Sequence, residues 1–594
     1  MTDALSIAGS PPKISGAEIV LKVLREARVK TVFGYPGGAV LAIYDELFQQ
    51  TEIEHVLVRH EQHAGHAAEG YARASGEVGV ALVTSGPGLT NMVTPLQDAL
   101  MDSIPLLCIC GQVPTPLIGT DAFQECDAVG ITRPCTKHSY VVTDVVDLAG
   151  TVRKAIEVAK TGRPGPVLVC IPKDVQLAET VYMPPEVARE REAVPALKEV
   201  NGIAQALKLL KGSRKGVLYT GGGVLASGQR AITALRQLAE ITRFPVTSTL
   251  MGLGAFPASD PAWLGMPGLH GTYEANMAMH DCDVMVCVGA RFDDRVTARV
   301  DRFSPNSKKI HIDIDTSSLN KNVAVDVGLR GDAGEILEAL VRELVSSGWE
   351  SASSQTEWLG QIDEWRQKEC LAYTARTSEI MPQFAVERLW FHARKFDPYI
   401  TTEVGQHQMW AAQYCRFDEP QRFISSGGLG TMGFGLPAAI GVQMARPKSL
   451  VIDIAGDASI QMNLKELSTA VQYGLPVKVF ILNNHHLGMV RQLQQHLHSG
   501  RNSHSYSAAL PDFARLAEAY GARGLQCSKP TELDSAIVEF LETPGPAVLD
   551  CEVAAVESCY PMIKAGRGHD EMWLNEDRHP AGASQDGRQL VVTL

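Results

Sequence analysis

The sequence lacks the features that define several large protein classes. It has no run of about 18 uninterrupted apolar residues, so no transmembrane helix is expected. The opening residues, MTDALSIAGSPPKISG, hold no apolar stretch, no basic leader and no Arg-rich amphipathic segment, so neither a signal peptide nor a transit peptide is expected. Cys-x-x-Cys is absent; of 12 cysteines only Cys108 and Cys110 stand close together, which suits reduced, mostly buried thiols of a cytoplasmic protein. Positive charge is in deficit, with 54 Lys plus Arg against 67 Asp plus Glu and a net charge of −13. That argues against non-specific binding to nucleic acid or an anionic membrane and leaves a local basic site open. Low-complexity tracts and short repeats are also missing.

What is present is a globular balance, 45% hydrophobic and 20% charged residues, enough to build large cores. A length of 594 residues sets a prior of roughly four domains. Short apolar runs alternate with longer amphipathic segments, the pattern of an α/β fold with parallel sheets. The first set of strands is expected at Val78 to Thr84, Pro105 to Cys110 and Pro166 to Ile171, with helices at Glu61 to Ser75 and Asp147 to Lys160. A charged, Pro-containing stretch from Met183 to Val200 reads as a linker. A second set follows at Lys215 to Tyr219, Pro245 to Thr249, Val284 to Gly289 and Ile310 to Asp315. The third comprises Ser449 to Ala455, Val477 to Asn483 and Ala547 to Val553. The expected domains are 13–180, 200–345 and 380–560, followed by a polar, Gly-rich arm at 561–594.

The third segment holds the most specific signal. Strand Leu450 to Ala455 leads into Gly456-Asp457-Ala458, a helix is expected at about Leu464 to Tyr473, and strand Val477 to Leu482 ends at Asn483-Asn484. Asp457 and Asn484 thus stand at the carboxyl ends of successive parallel strands, 27 positions apart, the edge where open α/β sheets bind ligands. A carboxylate and an amide oxygen suit Mg²⁺, which also takes water and ligand phosphates. Gly-Asp and Asn-Asn are equally common in plain βα turns, so spacing alone leaves both readings open. In the first segment, Arg59-His60-Glu61-Gln62 follows an expected strand, His55 to Val58, and opens a helix. Alone, Glu61 reads as a charge complementing the helix dipole. His60, His63 and His66 recur at intervals of three, only roughly on one helical face, and a zinc site would need further ligands.

Gly456-Asp457 with Asn483-Asn484 resembles the diphosphate-binding motif of thiamine-diphosphate (ThDP) enzymes. The resemblance implies that Asp457, Asn484 and the main-chain carbonyl of His486 hold Mg²⁺, with Ala458 where Gly is commoner. Glu61 matches the glutamate that hydrogen-bonds the aminopyrimidine ring, where a buried, partly desolvated carboxylate shares a proton. Departing from the family, His63 stands where a small residue usually follows this Gln. Further blocks narrow the match: Gly111 to Pro114 (GQVP), Asp121 to Glu125 (DAFQE), Thr136-Lys137-His138, and Arg163 to Pro166 (RPGP) with Pro172-Lys173-Asp174. Gly268 to Thr272 (GLHGT), Arg291 to Arg295 (RFDDR), Val404 to Trp410 (VGQHQMW) and Ser425 to Pro437 (SSGGLGTMGFGLP) complete the set. Over about residues 13–565 the chain resembles the acetohydroxyacid synthase (acetolactate synthase) catalytic subunits. That implies an α/β fold of three doubly wound parallel-sheet domains: pyrimidine-binding, central FAD-binding and diphosphate-binding.

Gly221-Gly222-Gly223 after a strand is weak evidence by itself. Together with Thr249-Leu250, Gly289, Arg291, Asp293, Asp313-Ile314 and Asp332, it resembles the family's FAD site, with His270 and Arg163 as further contacts. Glycines would let the dinucleotide approach the backbone, and strand-end carboxylates would bind its hydroxyls. For ThDP, the resemblance implies contacts from Gln406, His407, Gly430, Thr431, Ser459 and Met489, with Met432 bending the cofactor; Ser103 is a further cofactor contact.

The implied reaction joins two 2-oxoacids with loss of CO₂. It gives 2-acetolactate from pyruvate, or 2-aceto-2-hydroxybutyrate when 2-oxobutyrate accepts, in branched-chain amino acid biosynthesis. Gln124 and Lys173 would line the pocket, and Arg295 would hold the acceptor carboxylate; a surface salt bridge is the other reading of Arg295. The family implies a homodimer or tetramer with shared active sites and allows for a small regulatory subunit. Leu493 replaces the usual Trp of the acceptor pocket, so weaker preference for 2-oxobutyrate and resistance to Trp-stacking herbicides are expected. Rival readings are an FAD-free catabolic acetolactate synthase, a glyoxylate carboligase, which lacks the glutamate seen as Glu61, and a non-catalytic homologue.

Overall fold

The computed structural model describes residues 12–184, 200–349 and 354–575. Most of the expected linker and residues 576–594 of the arm therefore lie outside the described residues. The chain divides into two compact units, Met1–Val194 and Pro195–Leu594.

The first unit is built on a six-stranded parallel sheet in the order Glu54–Leu57, Thr31–Gly34, Gly79–Val83, Leu106–Gln112, Pro166–Pro172, His138–Val141. Its central strands are wholly buried and apolar but for the terminal Gln112, as a sheet covered on both faces requires. The helix Glu61–Ser75 is rich in Ala and Gly and packs with backbone nearly touching backbone. A Cβ at Gly79 would lie 2.1 Å from the Ala68 carbonyl oxygen. Gly76, at φ +80°, ends the helix in the left-handed conformation that suits glycine.

The second unit holds two further parallel sheets. The five-stranded one runs Val246–Ser248, Gly216–Thr220, Val284–Val288, Lys308–Asp313, Val327–Arg330. The six-stranded one runs Phe423–Ile424, Tyr399–Thr402, Val451–Gly456, Lys478–Asn483, Ala547–Glu552, Arg523–Cys527. The expected α/β class with three parallel sheets is what the chain forms. Strands Thr31–Gly34, His138–Val141, Val327–Arg330, Tyr399–Thr402, Phe423–Ile424 and Arg523–Cys527 were not foreseen. The helix expected at Leu464 to Tyr473 is instead a 3₁₀ turn at Leu464–Glu466 and a short helix at Leu467–Gln472. Asn463 causes the break: its side-chain amide turns inward to the Glu403 carboxylate, and its carbonyl accepts from the Glu466 N–H at 2.8 Å.

Residues 561–575 of the arm pack on the middle of the second unit. Ile563 N–H donates to the Leu269 carbonyl at 2.9 Å, and Arg302 pairs with Asp570 and Glu571 at 2.6 and 2.7 Å. All 12 cysteines are free, and all but Cys126 are buried. Among the described residues no helix is long and apolar enough to cross a membrane.

Candidate active site

In a parallel sheet every carboxyl end lies on the same edge. Four adjacent strands of the six-stranded sheet in the second unit bring the ThDP candidates to one such edge. Gly430, Thr431 and Met432 follow Phe423–Ile424; Gln406 and His407 follow Tyr399–Thr402; Asp457, Ala458 and Ser459 follow Val451–Gly456; Asn484, His486 and Met489 follow Lys478–Asn483. Asp457 is 1% exposed. Its Oδ1 accepts weakly from the Asn484 N–H at 3.4 Å, and its buried Oδ2 has no partner. Burial pushes its carboxyl up to about 7, as expected of a carboxylate without a compensating cation. Asn484 Oδ1 accepts from the His486 N–H at 3.0 Å. A carboxylate oxygen left unmet, an amide oxygen and a main-chain carbonyl form the donor set a hard divalent cation takes, so these residues fit Mg²⁺.

The neighbouring side chains are packed without slack. Gln406 Nε2 donates to Gln492 Oε1 at 2.7 Å and to the Glu557 carbonyl at 3.0 Å, while its Oε1 accepts from Asn484 Nδ2 at 3.4 Å. A Cβ at Gly488 would lie 2.1 Å from Gln406 Oε1. His407 is buried under Gly456, and burial holds its imidazole down to about 3, a neutral ring at any working pH. Ser459 Oγ is tied to the Gly456 backbone at 3.2 Å.

Within the first unit, Glu61 follows Glu54–Leu57 and opens its helix. It is half-buried rather than enclosed, because it sits on the open edge of the sheet. Asn91 Nδ2 donates to Glu61 Oε2 at 2.9 Å. Asn91 lies in the turn after Gly79–Val83, where Gly88 approaches Glu61 Oε1 and Gly86 (φ +54°) approaches the Gln124 carbonyl. Gln124 is itself at φ +61°. Lys173 is exposed just after Pro166–Pro172, on the same edge. Arg163 and Ser103 precede their strands and so lie on the opposite edge, joined by Arg163 Nε donating to Ser103 Oγ at 2.8 Å. The three histidines do not form one group. His60 Nδ1 caps the helix by accepting from the Gln62 N–H and its ring lies 5.3 Å from that of the buried His63, while His66 turns to Glu69 at 3.0 Å.

In the five-stranded sheet every strand delivers an FAD candidate to its carboxyl edge: Gly222, Thr249 with Leu250, Gly289, Asp313 with Ile314, and Asp332. The glycines divide by role. Added Cβ atoms at Gly221 and Gly223 would meet Gly289 backbone at 2.3 and 2.6 Å, so their smallness serves chain packing. Gly222 meets only Met251, at 3.3 Å, and is the one left to face a ligand. Asp332 is engaged as a helix N-cap and by Ser227 Oγ at 2.7 Å; Asp313 Oδ1 accepts from the Asp315 N–H at 2.8 Å. His270 Nδ1 lies 3.1 Å from the Pro561 carbonyl, Asp293 caps the turn Asp294–Thr297, and Arg291 is half-buried. Residues from all five strand ends, grouped with one small, unencumbered glycine, fit a dinucleotide. Arg295 is exposed and paired with Asp294 at 2.5 Å, a surface ion pair.

Sequence reasoning gave no role to Asn91, Gly488 and Gln492. Asn91 carried a usable signal, since Ser85-Gly86-Pro87-Gly88 ends a strand on the Glu61 edge. The other two act through packing, which only coordinates reveal.

Comparison with known proteins agrees with this geometry. Residues 14–131 match the family model for the thiamine pyrophosphate enzyme N-terminal TPP binding domain, residues 203–340 its central domain and residues 403–551 its C-terminal TPP binding domain. The chain has the three domains of a thiamine-diphosphate enzyme. The chain is 51% identical over 571 residues to the acetolactate synthase isozyme 3 large subunit of Escherichia coli (strain K12), covering 95% of this chain and 99% of that protein. It is 47% identical over 568 residues to the acetolactate synthase large subunit of Haemophilus influenzae, covering 95% and 99%. With the mitochondrial catalytic subunit of Saccharomyces cerevisiae it shares 45% over 589 residues, covering 95% and 84%. The chain belongs to the acetolactate synthase catalytic subunits.

Proposed function

We infer that this chain condenses two 2-oxoacids with loss of CO₂, making 2-acetolactate from pyruvate, and 2-aceto-2-hydroxybutyrate when 2-oxobutyrate is the acceptor, for branched-chain amino acid synthesis. One observation carries the reading: a buried Asp457 carboxylate oxygen with no partner, beside Asn484, in a chain that is acetolactate synthase-like over nearly its whole length. Bound ThDP supplies the electron sink for decarboxylation. Asp457, Asn484 and the His486 carbonyl would hold Mg²⁺ against the diphosphate, flanked by Ser459, Gln406 and a neutral His407. Glu61 would hydrogen-bond the aminopyrimidine ring through Oε1 and share a proton with its ring nitrogen, its Oε2 being engaged by Asn91. Met432, between Thr431 and Gly433, would press on the cofactor and set its bend, a positioning effect.

FAD would occupy the carboxyl edge around Gly222, with Asp313 and Asp332 toward its hydroxyls. Gln124 and Lys173 would line the substrate pocket. Arg295 would leave Asp294 to hold the acceptor carboxylate, an exchange of one exposed ion pair for another and therefore cheap. A homodimer or tetramer sharing active sites and a small regulatory subunit complete the proposal.

The test is acetolactate formation from pyruvate alone, with ThDP, Mg²⁺ and FAD omitted in turn, for the wild type and Glu61→Gln. Loss of product on each omission and in the variant is expected. Full activity of Glu61→Gln would sink its assigned role, and full activity without FAD would favour the FAD-free reading.

A further inference from the structure

One fully buried carboxylate in the second unit has no part in the site as described. Glu403 follows strand Tyr399–Thr402 and is 0% exposed. Its Oε2 accepts from the Gly433 N–H at 2.6 Å. Its Oε1 accepts from the Gly435 N–H at 2.9 Å, the Leu436 N–H at 3.3 Å and the Asn463 side-chain amide. The preceding turn of the same loop is held separately, with Ser426 Oγ accepting from Gly430 and Thr431 N–H at 3.0 and 2.8 Å. Met432 is thus clamped between two anchors, one a neutral hydroxyl and the other a carboxylate.

We propose that Glu403 is a positioning residue of the carboligation site, fixing Met432 against the cofactor by gripping the Gly433 N–H. The proposal rests on the reading of Met432 as a ThDP contact. The chemistry favours an acid here over any other acceptor. Both oxygens face only N–H donors, and an ionised carboxylate is the side chain that accepts everywhere. Gly433 stands at φ +92°, a conformation glycine tolerates and that a tether must still hold in one state. Asp453 is the titratable neighbour. Enclosed in its strand beside Glu403, with Oδ2 lacking a partner, its carboxyl is pushed well up by burial and by the Glu403 charge, whereas the N–H donors around Glu403 work against the rise that burial causes there.

Glu403→Gln is a near-isosteric probe. A Gln oxygen in the Oε1 position keeps Gly435, Leu436 and Asn463, whereas its NH₂ in the Oε2 position confronts the Gly433 N–H, donor against donor. The experiment is a double-mutant cycle of Glu403→Gln and Met432→Ala in the full-length protein. It reads kcat for acetolactate formation, the apparent Kd for ThDP at saturating Mg²⁺, and the melting temperature. Misplacement of Met432 by about 1 Å predicts a loss of about 10- to 100-fold in Glu403→Gln. Little further loss is expected once Met432 is already Ala, with Glu403→Asp recovering part of the activity. Additive losses, or a fall in melting temperature with kcat and Kd unchanged, would overturn the proposal and leave the ThDP reading intact. A Met432→Ala variant as active as the wild type would overturn both the role of Met432 and this proposal.

Discussion

Gly488 offers a sharp test of the geometry because two physical arguments give opposite signs. It opens the helix Gly488–Leu497 without a positive φ. By propensity alone, Gly488→Ala should therefore stabilise the protein by about 1 kcal/mol. The structure says otherwise. The new Cβ would lie 2.1 Å from Gln406 Oε1 and 2.9 Å from Asn484 Nδ2, against about 3.5 Å for ordinary contact, so the Gln406 amide must retreat by roughly 1 Å. It cannot do so freely, since it is buried and donates at 2.7 Å to Gln492 and at 3.0 Å to Glu557. Overpacking costs about 1–3 kcal/mol, and loosening two hydrogen bonds costs about 2 kcal/mol more. After the propensity gain, the net is about 2–4 kcal/mol of destabilisation. Asn484 shares the strain, so the apparent affinity for ThDP with Mg²⁺ should fall at least about 10-fold, the equivalent of 1.4 kcal/mol. Denaturant midpoints with and without cofactors, plus cofactor titration, measure both quantities. A variant more stable than the wild type with unchanged affinity would refute the packing described around Asn484.

Two further outcomes are expected. Burial holds the His66 imidazole at about 4 against an ordinary 6.5. The unfolded chain therefore takes up the proton first, and stability from this residue, intact above pH 6.5, is lost as pH falls toward 4. At pH 5 the loss is about 2 kcal/mol, so the stability gap between wild type and His66→Gln should shrink by that amount between pH 7.5 and 5. An unchanged gap in urea midpoints would refute the burial-driven shift, and a gap that grew would show the ring to be charged in the fold. Leu493 is 42% exposed on the helix that begins at Gly488; restoring an aromatic with Leu493→Trp should raise the use of 2-oxobutyrate over pyruvate as acceptor by about 10-fold, as a large apolar contact of 1–3 kcal/mol implies. Competition assays decide this, and a wild type that already strongly prefers 2-oxobutyrate would remove the premise.

The carboxyl edges were legible in the sequence wherever a long apolar run ended in a turn dipeptide. Val451–Gly456 before Asp457 and Lys478–Asn483 before Asn484 are buried strands, and buried strands read as unbroken apolar runs. The strands that escaped notice are short or mixed in character. Phe423–Ile424 has two residues, and His138–Val141 is only half-buried at a sheet edge, so neither carries the signal. Glycine was legible as a need for smallness but not as to what needs it. Gly221, Gly223 and Gly289 form one backbone contact across 68 positions, which no local pattern encodes. Arg163 and Ser103 likewise read as a block near a strand, while only topology shows which edge they occupy.

Burial and a raised pKa do not by themselves separate a ligand-facing carboxylate from a structural one. Asp457 and Glu403 are both enclosed and both pushed up to about 7. Glu403 meets four donors from its own chain, so its charge is spent on holding a loop. Asp453 has an unmet oxygen, but it lies within its strand, where no ligand can reach, and burial beside Glu403 pushes its carboxyl well up toward the neutral form. Asp457 combines an unmet oxygen with a place just past its strand, on the edge where Asn484 also ends. A buried anion lacking a partner is too costly to persist for packing alone. At that position a partner from outside the chain can reach it, and the amide oxygen beside it makes a divalent cation the partner that fits.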